Sequence, residues 1–174
     1  MDKWTFYRDI SMDTKTINEI DIIEDNSQLR KLFLVCAKKS GYTAKGYLSA
    51  EHYLEYVNSA NYTSPTLAVI TDIRMPGMSG YELMSEIKKI TPLQRFVVIT
   101  GTPEDCINKA VRACFYLTKP VSVEKMQAIF EKLASTSSNC IKCKSEAPLC
   151  KSLSDLSAFK IKDWNCPREN ISTH

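Results

Sequence analysis

The sequence predicts an α/β fold, doubly wound, in which a five-stranded parallel sheet carries helices on both faces. From Ile17 to Ala134, short apolar runs of strand length alternate with longer stretches whose apolar residues recur at helical spacing. Cap and breaker residues mark the junctions: Ser49, Ser79, Thr102 and Ser122 before helices, Gly41 after one. Such alternation gives parallel strands with helical crossovers on both faces.

Each element follows from local chemistry. Glu19–Ile23 reads as the first strand and ends in Glu24-Asp25. The next helix places Leu29, Leu32, Phe33 and Cys36 on one face and stops at Gly41, as a C′ glycine would stop it. Tyr42–Tyr47 is a weak second strand, after which Ser49 caps a helix carrying Tyr53, Leu54 and Val57. Leu67–Thr71 is a strong buried strand that runs into Asp72. The loop from Arg74 to Gly80 is rich in breakers, and Ser79-x-x-Glu82 forms a capping box for a helix with Leu83, Ile87 and Ile90 inward. Phe96–Thr100 is the fourth strand. Thr102-Pro103-Glu104-Asp105 opens the fourth helix with a cap, a proline at N1 and acids in the first turn. Cys114–Thr118 is the fifth strand, ended by Lys119-Pro120. Ser122 caps a last helix carrying Val123, Met126, Ile129, Phe130 and Leu133.

Composition limits the function classes. The 174 residues are 44% hydrophobic, enough for one core of ordinary size. A net charge of +3 says little about nucleic acid, since a dedicated binder usually shows a concentrated basic face. The longest apolar runs, such as Leu32–Ala37, are far below the roughly 20 residues a membrane helix needs. The amino terminus is too polar for a secretory signal, so a cytoplasmic protein is expected. Residues 1–16 form an N-terminal extension outside the pattern, 17–134 the domain, and 135–174 a polar, cysteine-containing tail.

In an open parallel sheet the chemistry gathers at the carboxyl ends of the strands. Here those ends carry Glu24 and Asp25, then Asp72, then Thr100, then Lys119. If the first and third strands are neighbours, three carboxylates converge and their pKa values rise unless a cation sits among them. Hard oxygen donors of this kind suit Mg2+. A lysine and a hydroxyl beside them would neutralise a transferring phosphoryl group, a reaction that asks mainly for positioning and charge stabilisation.

The acidic pair in IIEDN, the aspartate in ITDIRMPGMSGYEL, the threonine in VVITG and the lysine in FYLTKP resemble the response-regulator receiver family, over about Ile17–Ala134. That resemblance implies the strand order 2-1-3-4-5, shared with flavodoxin-like folds. It implies that Asp72 attacks a phosphohistidine and becomes an acyl phosphate. It makes Glu24 and Asp25 the Mg2+ carboxylates, with the main-chain carbonyl of Arg74 completing the shell. Lys119 then pairs with the phosphoryl oxygens, Thr100 moves in to hydrogen-bond them, and Tyr116 takes the aromatic switch position. Arg74 and Thr102, each two residues beyond a site residue, are expected to overhang the site and gate the hydrolytic water. One departure is the stretch from Thr100 to Lys119, about three residues shorter than the family norm and without a Gly-Ala turn before the fifth strand.

The expected partners are a histidine kinase or histidine phosphotransfer protein and an output protein. The tail lacks the two amphipathic helices of a DNA-reading unit. A flavodoxin-like electron carrier is the rival on the same fold. Its phosphate loop would follow the first strand, where Glu24-Asp25 carries the wrong charge. A zinc- or redox-sensing adaptor acting through the tail is the other alternative. Cys140-x-x-Cys143 has ligand spacing, and Cys150 and Cys166 complete a possible four-thiolate Zn2+ set, although the second pair is not in CxxC form. Free thiols are the plainer reading of these four. Cys36, Cys106 and Cys114 read as small core residues, and His52 as solvent-facing.

Overall fold

The computed structural model describes residues 18–62, 66–92, 94–102 and 113–135. Five strands, β1 (Glu19–Ile23), β2 (Thr43–Tyr47), β3 (Ala68–Asp72), β4 (Phe96–Thr100) and β5 (Phe115–Thr118), form one parallel sheet. Their order is β2-β1-β3-β4-β5. The described helices are α1 (Ser27–Lys39), α2 (Ala50–Val57), α3 (Gly80–Ile90) and α4 (Val123–Ser135). The helix expected to start at Thr102 falls on residues 103–112, outside the described residues, as does Cys106.

Alternation along the strands divides the core in two. Ile20, Ile22, Ala68, Ile70, Val97 and Ile99 face α1 and α4 and pack on Phe33, Met126 and Phe130. Ile23, Val69, Phe96 and Val98 face α2 and α3 and pack on Tyr53, Leu83 and Ile87. The three inner strands are buried on both faces and are largely apolar, with Asp21 the buried carboxylate inside β1. Each fully buried aliphatic or aromatic side chain contributes about 1.5–3 kcal/mol, and this double layer holds the sheet that presents the site.

The caps act as their sequences require. Ser49 Oγ accepts the His52 N–H at 3.2 Å, Ser122 Oγ accepts that of Lys125 at 3.3 Å, and Ser79 and Glu82 close a reciprocal capping box. Gly41 follows the end of α1 with φ 87°, the left-handed conformation that only glycine adopts without strain. Asn26 caps α1 by accepting the N–H groups of Gln28 and Leu29, a cap the sequence reading left unassigned.

Three residues of the helical apolar patterns are exposed, Ile90 against its inward assignment. Leu32 is 38% exposed, because the buried stripe of α1 runs through Leu29, Phe33, Cys36 and Ala37 and leaves Leu32 at its edge. Ile90 and Val123 are exposed at the last residue of α3 and the first of α4, where the helices reach past the packed layer; Met84 instead joins Leu83 and Ile87 inside. Strands two, three and five each start one residue later than expected, so Tyr42, Leu67 and Cys114 precede them. Cys36 is buried, Cys114 half-buried, and His52 exposed with its ring against the edge of Tyr47. No helix among the described residues is long and apolar enough to cross a membrane.

Candidate functional site

Strand order and register assemble the site. Ile23 of β1 lies opposite Thr71 of β3, so Glu24 and Asp72 emerge side by side at the carboxyl rim. Asp72 lies opposite Ile99 of β4, and Thr100 opposite Thr118 of β5, which brings Lys119 to the same rim. The Lys119 N–H donates to the Thr100 carbonyl at 2.7 Å and extends that pairing by one residue.

Lys119 then reaches back across the sheet. Its Nζ donates to Asp72 Oδ2 at 2.6 Å and to the two carboxylate oxygens of Glu24 at 3.0 and 3.1 Å. The carboxylate of Glu24 is 1% exposed and that of Asp72 6%. Asp72 Oδ1 accepts the Arg74 N–H at 3.1 Å. Asp25 is exposed, yet Glu24, Asp25 and Asp72 each offer an oxygen within 4.8 Å of the others.

The charges do not balance. Burial pushes the Glu24 carboxyl above its ordinary range, Lys119 draws it back, and the Asp72 charge adds to the rise. Burial works against the charge of Lys119, but its hydrogen bonds to Asp72 and Glu24 outweigh that and raise it. For Glu24 burial is a larger cause than the repulsion between carboxylates. Lys119 pairs with two of the three carboxylates, Glu24 and Asp72, which leaves negative charge for a second cation. Hard oxygen donors at that spacing fit Mg2+, which binds through a few carboxylates and keeps several waters.

Thr100 is fully buried, and its hydroxyl bonds its own loop: it accepts the Thr102 N–H at 3.1 Å and lies 3.3 Å from the Thr102 carbonyl. Tyr116 is half-buried against the α2–α3 side, and its hydroxyl accepts the Ala113 N–H at 3.0 Å. The Arg74 side chain is exposed. Cys140, Cys143, Cys150 and Cys166 lie outside the described residues.

Three supports were missing from the sequence reading. Arg30 Nη1 donates to the carbonyls of Glu24 and Asp25. Glu51, in the first turn of α2, accepts the Met78 N–H at 2.6 Å and holds the loop after Asp72. Gly80 lies so near the end of β3 that a Cβ there would collide with the Asp72 carbonyl. Arg30 acts on main-chain carbonyls and Glu51 on an amide 27 residues away, neither of which a motif records.

A parallel sheet of this order with an acid triad, a lysine and a buried threonine at its carboxyl rim defines a class of phospho-acceptor signalling domain. The family description "Response regulator receiver domain" matches residues 20–131, and the chain belongs to that family, which works in two-component signal transduction. It is 26% identical over 122 residues to a probable methanogenesis regulatory protein of Methanothrix harundinacea, a match covering 64% of this chain and 78% of that one. It is 28% identical over 117 residues to the DNA-binding transcriptional regulator NtrC of Escherichia coli, covering 66% of this chain but only 24% of that regulator. Among solved structures, a receiver domain protein from Clostridium thermocellum superposes with a TM-score of 0.59 at 26% identity, covering 67% of this chain and 94% of that one. The response regulator TrrA of Thermotoga maritima, solved in complex with Mg2+ and BeF, gives 0.59 at 24% identity over 67% and 98% of the two chains, a likeness of fold.

Proposed function

We propose that Asp72 accepts a phosphoryl group from a phosphohistidine, with Glu24, Asp25 and Asp72 holding Mg2+ and Lys119 holding the phosphoryl oxygens. The observation that carries this reading is Lys119 Nζ at 2.6 Å from Asp72 Oδ2. It places an ammonium against the carboxylate that would attack. An oxygen of Asp72 attacks phosphorus, the phosphorus–nitrogen bond breaks, and the donor's imidazole keeps the electron pair. The Arg74 N–H on Oδ1 orients the carboxylate for that approach. The bound cation would supply charge neutralisation at the phosphoryl oxygens, and the Arg74 carbonyl would join its shell.

Lys119 follows the charge as it moves. It leaves Glu24 and Asp72 partly free and pairs with the new phosphoryl oxygens. Thr100 breaks its bonds within the loop and donates its hydroxyl to the same group. Tyr116 releases the Ala113 N–H and turns inward as Thr100 vacates its place. Arg74 and Thr102 flank the entry for water and set the lifetime of the acyl phosphate.

The donor is a histidine kinase or histidine phosphotransfer protein, and output runs through contact with another protein. Mapping the modified residue tests the assignment. Borohydride reduces an aspartyl phosphate to homoserine, and the converted residue should be Asp72. Conversion at another aspartate would remove Asp72 from the acceptor role.

A further inference from the structure

We propose that Arg30 is a positioning residue for the acidic pair, holding the turn between β1 and α1 so that Glu24 and Asp25 stay converged on Asp72. The inference rests on the cation site described above. Arg30 sits in α1, where its own N–H is fixed by the Asn26 carbonyl at 2.9 Å. Its Nη1 donates to the Glu24 carbonyl at 2.5 Å and to the Asp25 carbonyl at 3.2 Å. These two carbonyls belong to the consecutive residues whose carboxylates approach Asp72.

The neighbouring strand makes room for this side chain. A Cβ built on Gly46 of β2 would lie 3.3 Å from both Cγ and Cδ of Arg30 and 2.9 Å from Leu34 Cδ1. Glycine at that position lets the arginine stem lie over β2 and carry the guanidinium to the turn. The turn needs such a tether. Three carboxylates within 4.8 Å repel one another, and Asp25 is exposed and free to swing outward. Donating to both carbonyls fixes the peptide planes that carry the Glu24 and Asp25 side chains, so the repulsion meets a held backbone. Groups that orient metal ligands from behind typically change metal affinity by roughly 10- to 100-fold when removed.

Calorimetric titration of the full chain with Mg2+, well below the unfolding midpoint and with metal-free thermal unfolding alongside, separates positioning from simple charge. Arg30→Met keeps most of the stem and removes the guanidinium. It should weaken Mg2+ binding by roughly 10-fold, whereas a purely electrostatic arginine predicts the opposite sign, since losing a cation beside carboxylates tightens a second one. Gly46→Ala keeps every charge, presses on the arginine stem, and should weaken binding in the same direction by less. Unchanged or tighter Mg2+ binding in Arg30→Met overturns the role of Arg30 alone. A wild type without saturable Mg2+ binding, or binding indifferent to Asp25→Asn, overturns the cation site and this inference with it.

Discussion

Lys119 Nζ lies 2.6 Å from Asp72 Oδ2 and within 3.1 Å of both carboxylate oxygens of Glu24, so one ammonium ties the ends of β1, β3 and β5 together. In the proposed reaction Lys119 has two separable duties, stability in the absence of metal and charge stabilisation during transfer.

Lys119→Met should therefore affect stability and Mg2+ binding in opposite directions. Two buried carboxylates lose their counter-charge, and the metal-free protein should lose about 1–3 kcal/mol at neutral pH. Mg2+ should bind at least as tightly, because a competing cation is gone, and should restore part of the lost stability. Denaturant unfolding with Mg2+ and with chelator reads both effects. Equal losses under the two conditions would contradict the shared-charge account.

Asp21 should make stability fall as pH rises. It is fully buried on the α2 face, with Oδ2 accepting the Tyr53 hydroxyl at 3.0 Å. Burial lifts its carboxyl from 3.8 to about 6, against the pull of that hydrogen bond. The folded state then binds the proton more tightly than the unfolded chain. The favourable contribution is complete below the unfolded value and lost as pH rises through about 6, an effect of about 2–3 kcal/mol. Asp21→Asn should gain that much relative to wild type between about pH 4 and about pH 7. A stability difference between the two proteins that stays constant across this range would show that Asp21 does not titrate there.

Gly80→Ala should damage both the fold and the site. The added methyl meets the carbonyl of Asp72, and Gly80 also donates its N–H to the Ile73 carbonyl at 3.0 Å. The backbone of the acceptor must shift, at about 1–3 kcal/mol of stability. Phosphorylation should slow along with it. A variant of wild-type stability and rate would mean the loop gives way at no cost.

Glu51 should govern the order of the loop after Asp72. Its carboxylate holds the Met78 N–H at 2.6 Å, and that bond is the main reason its pKa lies below the ordinary range. Glu51→Ala should speed hydrogen exchange at the Met78 amide, and Glu51→Gln, which keeps an acceptor, should restore part of the protection. Exchange unaffected by either substitution would sink this clamp.

Much of the fold was legible because its signals are local. Phe96–Thr100 is a contiguous buried run, and Ser79 with Glu82 is a cap whose partners lie within one turn. Ile90, assigned inward, and Leu32 and Val123, in the same kind of pattern, are exposed because helical spacing gives a direction but not the width of the stripe or the reach of the neighbouring layer. That Glu24, Asp25, Asp72 and Lys119 meet at one rim was legible from their places at strand ends. The supports of that rim were not. Arg30 binds carbonyls, Glu51 binds an amide across the fold, and Asp21 sits in a strand where the pattern alone does not tell a buried carboxylate from an exposed one.

Incubation with acetyl phosphate, followed by intact mass, tests the central claim most directly when wild type and Asp72→Asn are each treated with Mg2+ and with chelator. The account predicts one added phosphoryl group in the wild type with Mg2+, none with chelator, and none in Asp72→Asn under either condition. Equal phosphorylation of Asp72→Asn, or a gain in the wild type that chelator leaves untouched, would contradict it.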